Sequence, residues 1–377
     1  MSKTGDAGPT EPGLSGRPYP ARTEALPRQL DAITAPWLTR TLQNRYPGLV
    51  VEAMEPLDTR AGHTTKMRLA LQLNDAGRAA GMPDQVCLKS NWSSTFDTGD
   101  ICELEAKFYH FLGSLTSVPV PRTFYTDWDA DGSGQGLVVM EDLGAVAGTF
   151  GHSTRPLTIE QAAVGLTGLA ALHACWWDSP KLDSFDWLKQ SMRTVVDTAQ
   201  YDHLLPFIRM NLEKPEYREF LPQWLLDDVG RLGRAFARLV AYEQAQTGPL
   251  CVMHGDAHLG NSFERETGER IWFDWQLVRK GRPWRDVTYF LIGSLPTDER
   301  RRGERDLLNH YCDQLRAGGV ALDMDFDQVW DQYRRWPIYG MVSWLSNQDS
   351  WGQIGLPAVK RFYAAAADLD SLRLIEG

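Results

Sequence analysis

No two of the five cysteines, Cys87, Cys102, Cys175, Cys251 and Cys312, stand in a C-x-x-C pair, and their number is odd. That excludes a disulfide framework and a zinc ribbon or finger, and points to reduced thiols in a cytoplasmic protein. No apolar run approaches the roughly 18 residues of a membrane span. The amino-terminal MSKTGDAGPTEPGLSGRPYPAR lacks the apolar stretch of a secretory signal. Positive charge is also short: 39 Lys and Arg stand against 49 Asp and Glu, a net charge of −10. An excess of acid argues against binding to nucleic acid or to anionic lipid. There is no internal repeat.

What is present is ordinary globular chain, 43% hydrophobic and 23% charged over 377 residues, long enough for two lobes. Gly, Pro and Ser make residues 1–26 read as a disordered tail. Thr34 caps an expected helix from Ala35 to about Arg45, and a short strand follows near Leu49–Ala53. A loop is expected over Thr59–Thr65. MRLALQL and QVCLKS read as strands, and Asp100–Leu115 as an amphipathic helix with Ile101, Leu104, Phe108, Phe111 and Leu112 on one side. RTFYTDW, DADGSGQG and LVVMED make a hairpin.

After Glu141 the pattern turns helical. Thr158 and Gln161 form a capping box before IEQAAVGLTGLAALHACWW, and a second long helix is expected over Pro222–Ala245. A short hairpin turning at Thr267-Gly268 is embedded before a helical tail. The fold class is α+β: a sheet lobe with one crossing helix over 27–141, then a larger, mainly helical lobe over 142–377. A small-molecule site is expected in the cleft between them.

The chemistry concentrates in HGDAHLGN, His254–Asn261, followed by FDW at Phe273–Trp275. Asp256 precedes Asn261 by five residues, and Asp274 follows thirteen residues later. This spacing matches the kinase catalytic pattern H-x-D-x-x-x-x-N with a later aspartate. Phosphoryl transfer needs positioning and charge neutralisation more than covalent help. Asp256 is placed to orient an acceptor hydroxyl and take its proton. Asn261 and Asp274 offer oxygen ligands to Mg²⁺, and the intervening hairpin would return one to the other. The competing reading is a surface loop followed by an ordinary hairpin.

Lys89 ends a buried strand, where an ammonium needs a partner. Glu105 on the next helix is the expected partner, with Glu103 as the competitor; the pair would hold ATP phosphates. In VVMEDLG, the backbone at Glu141 and Leu143 is expected to meet adenine. TRAGHTTKM, with Gly62, Thr64 and Thr65, is either a phosphate-closing loop or an ordinary hairpin loop, since G-x-G-x-x-G is absent.

HGDAHLGN, FDWQ, GRPWRDVTYFL, VVMEDLG and EAKFY resemble the aminoglycoside phosphotransferase and choline kinase superfamily. EAKFY, MEDL and DWQ are most similar to its ecdysteroid kinase-like branch. The resemblance spans about Leu49–Leu291. It implies a two-lobed protein-kinase-like fold, with ATP and Mg²⁺ as cofactors. It implies Lys89 and Glu105 as the phosphate-holding pair, Asp256 as catalytic base, and Asn261 and Asp274 as metal ligands. It further implies loop support from His254 and Asp286. The glycine-poor phosphate loop departs from the pattern, as does Trp275 where Phe is usual.

The resemblance does not name the acceptor. Trp330, Tyr333, Trp336, Tyr339, Trp344 and Trp351 lie in the helical tail, either as core or as a pocket wall. A wall of that kind suits an apolar or amphipathic alcohol, or a quaternary ammonium. Asp323, Asp325, Asp327 and Asp331 would suit an aminoglycoside, or are a solvated helix start. His258, Arg282, Trp336, Tyr339 and Trp344 are the candidate substrate contacts. A nucleotide-binding pseudokinase or scaffold is the alternative of another class. A protein kinase is disfavoured by the missing A-P-E segment after Asp274.

Overall fold

Strand and helix periodicities divide the chain much as its composition does. The computed structural model describes residues 25–62, 64–92, 99–129, 131–348 and 354–377. Residues 1–24 of the expected tail, and Trp351, lie outside the described residues. The chain divides into two compact units: Met1–Leu115 with Pro121–Ala145 and Asp183–Trp187, and Thr116–Val120 with Val146–Leu182 and Leu188–Gly377.

The first unit opens with helix α1, Ala35–Gln43, whose Thr34 hydroxyl accepts the Trp37 N–H at 3.3 Å. Five strands follow: β1 (Val51–Ala61), β2 (Thr65–Leu73), β3 (Gln85–Ser90), β4 (Thr123–Trp128) and β5 (Gly136–Glu141). They form one antiparallel sheet in the order β1-β2-β3-β5-β4. Alternation along β2 turns Leu69, Leu71 and Leu73 into a core with Trp37, Leu38 and Leu42 of α1. Leu26, at the end of the expected tail, belongs to that core, and its N–H donates to the Asp129 carboxylate at 3.1 Å. The expected loop over Thr59–Thr65 is much shorter. Thr59, Arg60 and Ala61 pair with Met67, Lys66 and Thr65, so β1 runs on to Ala61. Pro56 hid this length, because a proline inside a run reads as a strand end; here β1 is an edge strand that tolerates it.

Helix α2, Ile101–Lys107, crosses β4 and β5 and widens into a π turn over Phe108–Leu112. Together they occupy the segment expected as one helix.

In the second unit, β6 (Gly148–Phe150) precedes α3 (Ile159–Cys175), whose capping box of Thr158 and Gln161 is formed. Helix α4 (Gln200–Leu212) was not expected; Pro206 interrupts its pattern. The long helix expected over Pro222–Ala245 is broken at Asp228, leaving Gln223–Asp227 and α5, Val229–Ala245. Strand β7 (Cys251–Met253) leads into the HGDAHLGN loop. The hairpin β8 (Ser262–Arg265) and β9 (Arg270–Trp272) turns through Gly268 at φ 84°, and β8 also pairs with β6. Strand β10 (Arg279–Gly281) pairs back to β7. Helices α6 (Trp284–Ser294), α7 (Thr297–Ala317), α8 (Phe326–Arg335), α9 (Pro337–Leu345) and α10 (Gly355–Asp368) follow, with a short helix over Ser371–Glu376 after them. Among the described residues, no helix is long and apolar enough to cross a membrane.

Candidate active site

The HGDAHLGN loop is held by a buried carboxylate. Asp286, in the first turn of α6, accepts the His254 N–H at 2.6 Å through Oδ2 and the Gly255 N–H at 3.0 Å through Oδ1. His173 of α3 reaches the same Oδ2 with Nε2 at 3.4 Å, while its Nδ1 meets the Tyr311 hydroxyl at 2.8 Å. Burial alone would raise the Asp286 pKa. The His173 hydrogen bond and charge, with Arg285 and His254, outweigh it and hold the group below the usual aspartate value.

Gly255 takes φ 84°, and a Cβ there would lie 1.8 Å from the Leu277 carbonyl oxygen. Only glycine satisfies both demands. Arg285 closes the other side, donating to the Gly255 carbonyl at 3.0 Å and lying 5.0 Å over the Tyr339 ring. His254 donates from Nε2 to the Phe273 carbonyl at 3.0 Å and accepts the Asp256 N–H on Nδ1 at 3.3 Å. One ring thereby ties the Asp256 backbone to the residue before Asp274.

Asn261 meets Asp256, and the hairpin returns the chain to Asn261 at the residue before Asp274. The Asn261 amide nitrogen donates to the Asp256 carbonyl at 2.9 Å and to its carboxylate at 3.1 Å. Ser262 pairs with Trp272, and the Phe273 N–H donates to the Asn261 carbonyl at 3.1 Å, so Asp274 emerges one residue beyond the closed ladder. Asp274 sits in the left-handed region, φ 68° and ψ 60°, a conformation uncommon for a residue with a side chain. Because the Asn261 nitrogen is committed to Asp256, its amide oxygen is the atom left for a cation. An amide oxygen and a carboxylate are a hard donor set. It is too small to cage an ion alone, and it suits Mg²⁺, which completes its shell with phosphate oxygens and water. Among the described residues no group of three His, Cys, Asp or Glu side chains could hold a metal ion by itself.

His258 Nε2 lies 3.6 Å from the Asp256 carboxylate. Its ring meets Trp344 at 5.3 Å, and Tyr289 stacks on Trp344 at 6.0 Å and meets Tyr339 at 5.3 Å. Tyr339 and Trp344 thus join the surroundings of Asp256. Trp336 and Tyr333 are fully buried, and Tyr333 donates to Glu304 at 2.9 Å. Arg282 is buried against Glu243 of α5 at 2.7 Å. Asp325 caps α8, and Asp331 pairs with Arg334 at 3.3 Å.

In the first unit, Lys89 Nζ and Glu105 Oε2 stand 2.6 Å apart, both almost wholly buried, while Glu103 pairs with Lys107 on its own helix at 2.5 Å. The alternative left open by sequence closes on Glu105. Gly62 donates to the Thr64 carbonyl at 3.0 Å, and the Thr65 hydroxyl donates to the Trp92 carbonyl. The Glu141 N–H is spent on the Arg122 carbonyl at 2.8 Å. Leu143 begins a short turn after Asp142, whose carboxylate pairs with Arg68 at 2.9 Å.

Residues 97–323 match the model of the phosphotransferase enzyme family. The chain belongs to that family. The match starts after Lys89 and does not include it. The structure is similar to that of a spectinomycin phosphotransferase in complex with ADP and spectinomycin, at 11% identity and a TM-score of 0.53, covering 90% of this chain and 99% of that one. It is also similar to a provisionally assigned aminoglycoside phosphotransferase from Ralstonia eutropha JMP134, at 13% identity and a TM-score of 0.51, covering 90% and 97%. At such identities the likeness is one of fold, and the α+β, protein-kinase-like fold expected from sequence is the one found. No curated protein matches the chain.

His173, Arg285 and Tyr289 escaped the reading of the sequence. His173 and Arg285 left a trace: a lone histidine on an apolar helix, and an arginine beside the Asp286 of an otherwise apolar run. Their partners are far along the chain, and nothing local names them.

Proposed function

We propose that this phosphotransferase uses ATP and Mg²⁺ to phosphorylate a hydroxyl of an apolar or amphipathic small molecule. The observation that carries the reading is the Asn261 hydrogen bond to Asp256, together with the backbone bond from Phe273 to Asn261 that sets Asp274 next along the chain. Asp256 orients the acceptor hydroxyl and takes its proton as the oxygen bonds to the terminal phosphorus. The bond from that phosphorus to the ADP oxygen breaks, and ADP leaves. Asn261 and Asp274 would hold magnesium, which when bound neutralises phosphate charge. Lys89, fixed by Glu105, serves the phosphates in residues 27–141, the nucleotide lobe; residues 142–377 serve catalysis and the acceptor.

The acceptor class rests on what surrounds Asp256. Tyr289, Tyr339, Trp344 and His258 supply ring faces. Asp325 is engaged in capping α8 and Asp331 with Arg334, which leaves the exposed Asp323 and Asp327 as the carboxylates open to a polycation. A quaternary ammonium alcohol is the second reading, since the same rings suit cation–π contact. The EAKFY, MEDL and DWQ stretches support a place on the ecdysteroid kinase-like branch, and reduced thiols support a cytoplasmic setting.

The test is ADP release from Mg·ATP across a panel of apolar alcohols, amino-alcohols, choline and aminoglycosides. An apolar or amphipathic alcohol should be turned over, and Asp256→Ala should lower that turnover by roughly 10²- to 10⁴-fold with Mg·ATP affinity kept. Near-full activity in Asp256→Ala would remove it from the mechanism. Turnover of aminoglycosides alone would overturn the acceptor class.

A further inference from the structure

Five residues of the first unit come from far along the chain. Asp183–Trp187 clusters with the sheet and α2, although the residues on both sides of it belong to the second unit. The strap's neighbours there are aromatic. The Trp187 ring stacks on Phe111 at 6.0 Å with planes 27° apart, Phe185 approaches Phe111 at 6.1 Å, and the two strap rings meet at 5.8 Å. Phe111 in turn leans on Trp128 of β4 at 5.6 Å, and His110 meets Trp128 at 5.2 Å. Phe185 and Trp187 are both buried.

The place where they dock matters. Phe111 lies in the π turn that ends α2, the helix that carries Glu105. A π turn has one more residue per loop than an α-turn and is a local departure that needs support from packing. Glu105 reaches Lys89 at 2.6 Å in a setting from which water is nearly absent. A buried ion pair tolerates little displacement, because separation leaves two unpaired charges. A helix clamped at its far end holds such a pair; an unclamped one lets it slip.

We infer that Asp183–Trp187 is a strap that positions Glu105, and through it Lys89, by clamping the π turn of α2 with Phe185 and Trp187. Phe185 and Trp187 are positioning residues: they act through Glu105 and touch no nucleotide. The inference rests on the proposed phosphate-holding role of Lys89 and Glu105.

Calorimetric titration of the full chain with Mg·ATP, and separately with adenosine, tests it. Trp187→Ala should weaken Mg·ATP binding roughly tenfold and leave adenosine affinity unchanged, because adenosine has no phosphates for Lys89. Trp187→Phe, which keeps a stacking ring, should stay within about twofold of the natural protein. Glu105→Gln should weaken Mg·ATP by itself, and adding Trp187→Ala to it should cost little more, as expected for two changes on one path. If circular dichroism shows Trp187→Ala unfolded, Phe185→Leu keeps the apolar volume and should report the same selective loss. Undiminished Mg·ATP binding in the strap variants beside a weakened Glu105→Gln overturns the strap alone. Parallel loss of ATP and adenosine also overturns it. Undiminished binding in Glu105→Gln removes the underlying reading, and the strap with it.

Discussion

In the loop that carries Asp256, His254 is a donor on one side and an acceptor on the other. Its Nε2 proton goes to the Phe273 carbonyl and its Nδ1 lone pair receives the Asp256 N–H. Only the neutral ring can make both bonds, because a second proton would sit on Nδ1 and face the Asp256 N–H. Burial lowers the His254 pKa; Asp286, Asp256, the Phe273 carbonyl and Asp274 oppose that and do not overcome it. Because the folded value lies below the ordinary 6.5, the unfolded chain binds more protons between the two. Stability therefore falls as pH drops below about 6.5, by at most about 1.4 kcal/mol per pH unit, and levels off below the folded pKa. Asp286 acts in a separate window. Its folded pKa is lowered beneath 3.8, so its contribution is present above that value and lost as pH falls through the folded pKa. His254→Asn should be less stable than the natural protein at pH 7, and the gap should narrow as pH falls to 5. Urea unfolding in magnesium- and nucleotide-free buffer checks this; a gap constant with pH would mean that His254 does not titrate as described.

At the scale of elements, α3 brings His173 to Asp286, and two glycines set how closely it lies on its neighbours. A Cβ on Gly165 would come 2.2 Å from the Phe290 ring of α6, and one on Gly168 would come 3.0 Å from the Trp272 indole nitrogen. Two effects compete in Gly165→Ala. Helix propensity favours alanine by about 1 kcal/mol. Overpacking against a fully buried ring costs about 1–3 kcal/mol. Packing should win, with a net loss of up to about 2 kcal/mol and a lower urea midpoint; a gain in stability would mean that Phe290 yields freely. The same helix shows what a sequence can and cannot disclose. Its start was legible because Thr158 and Gln161 are three residues apart and bond to each other. The return of the chain from Asn261 to Phe273 was legible because a turn at Gly268 closes it over a short span. The function of His173 was not, since Asp286 is 113 positions away. Nor was the break at Asp228, where the chain leaves the helical region at φ −143° with no proline or glycine at that position to announce it.

Across the whole molecule, the five thiols form a set with sharply different reach. None is joined in a disulfide. Cys175, on α3, is the exposed one; Cys102, Cys251 and Cys312 are buried and Cys87 half-buried. The thiolate is the reactive form, so protonation matters as much as access. Burial, reinforced by Asp142, pushes Cys87 up to about 11; burial also takes Cys312 to about 11 and Cys251 well above its usual value. Cys175 is raised too, by burial, but remains reachable. A disulfide-exchange reagent at pH 8 should therefore modify one thiol in the folded protein, slowly, and five in denaturant. Cys175→Ser should abolish the folded-state reaction and leave four in denaturant. The second thiol to react under mild urea reports which unit opens first. Cys87 lies on β3 beside Lys89, whereas Cys251 lies on β7 just before the HGDAHLGN loop. If Cys251 reacts as fast as Cys175 without denaturant, the loop that holds Asp256 is not packed as its hydrogen bonds require.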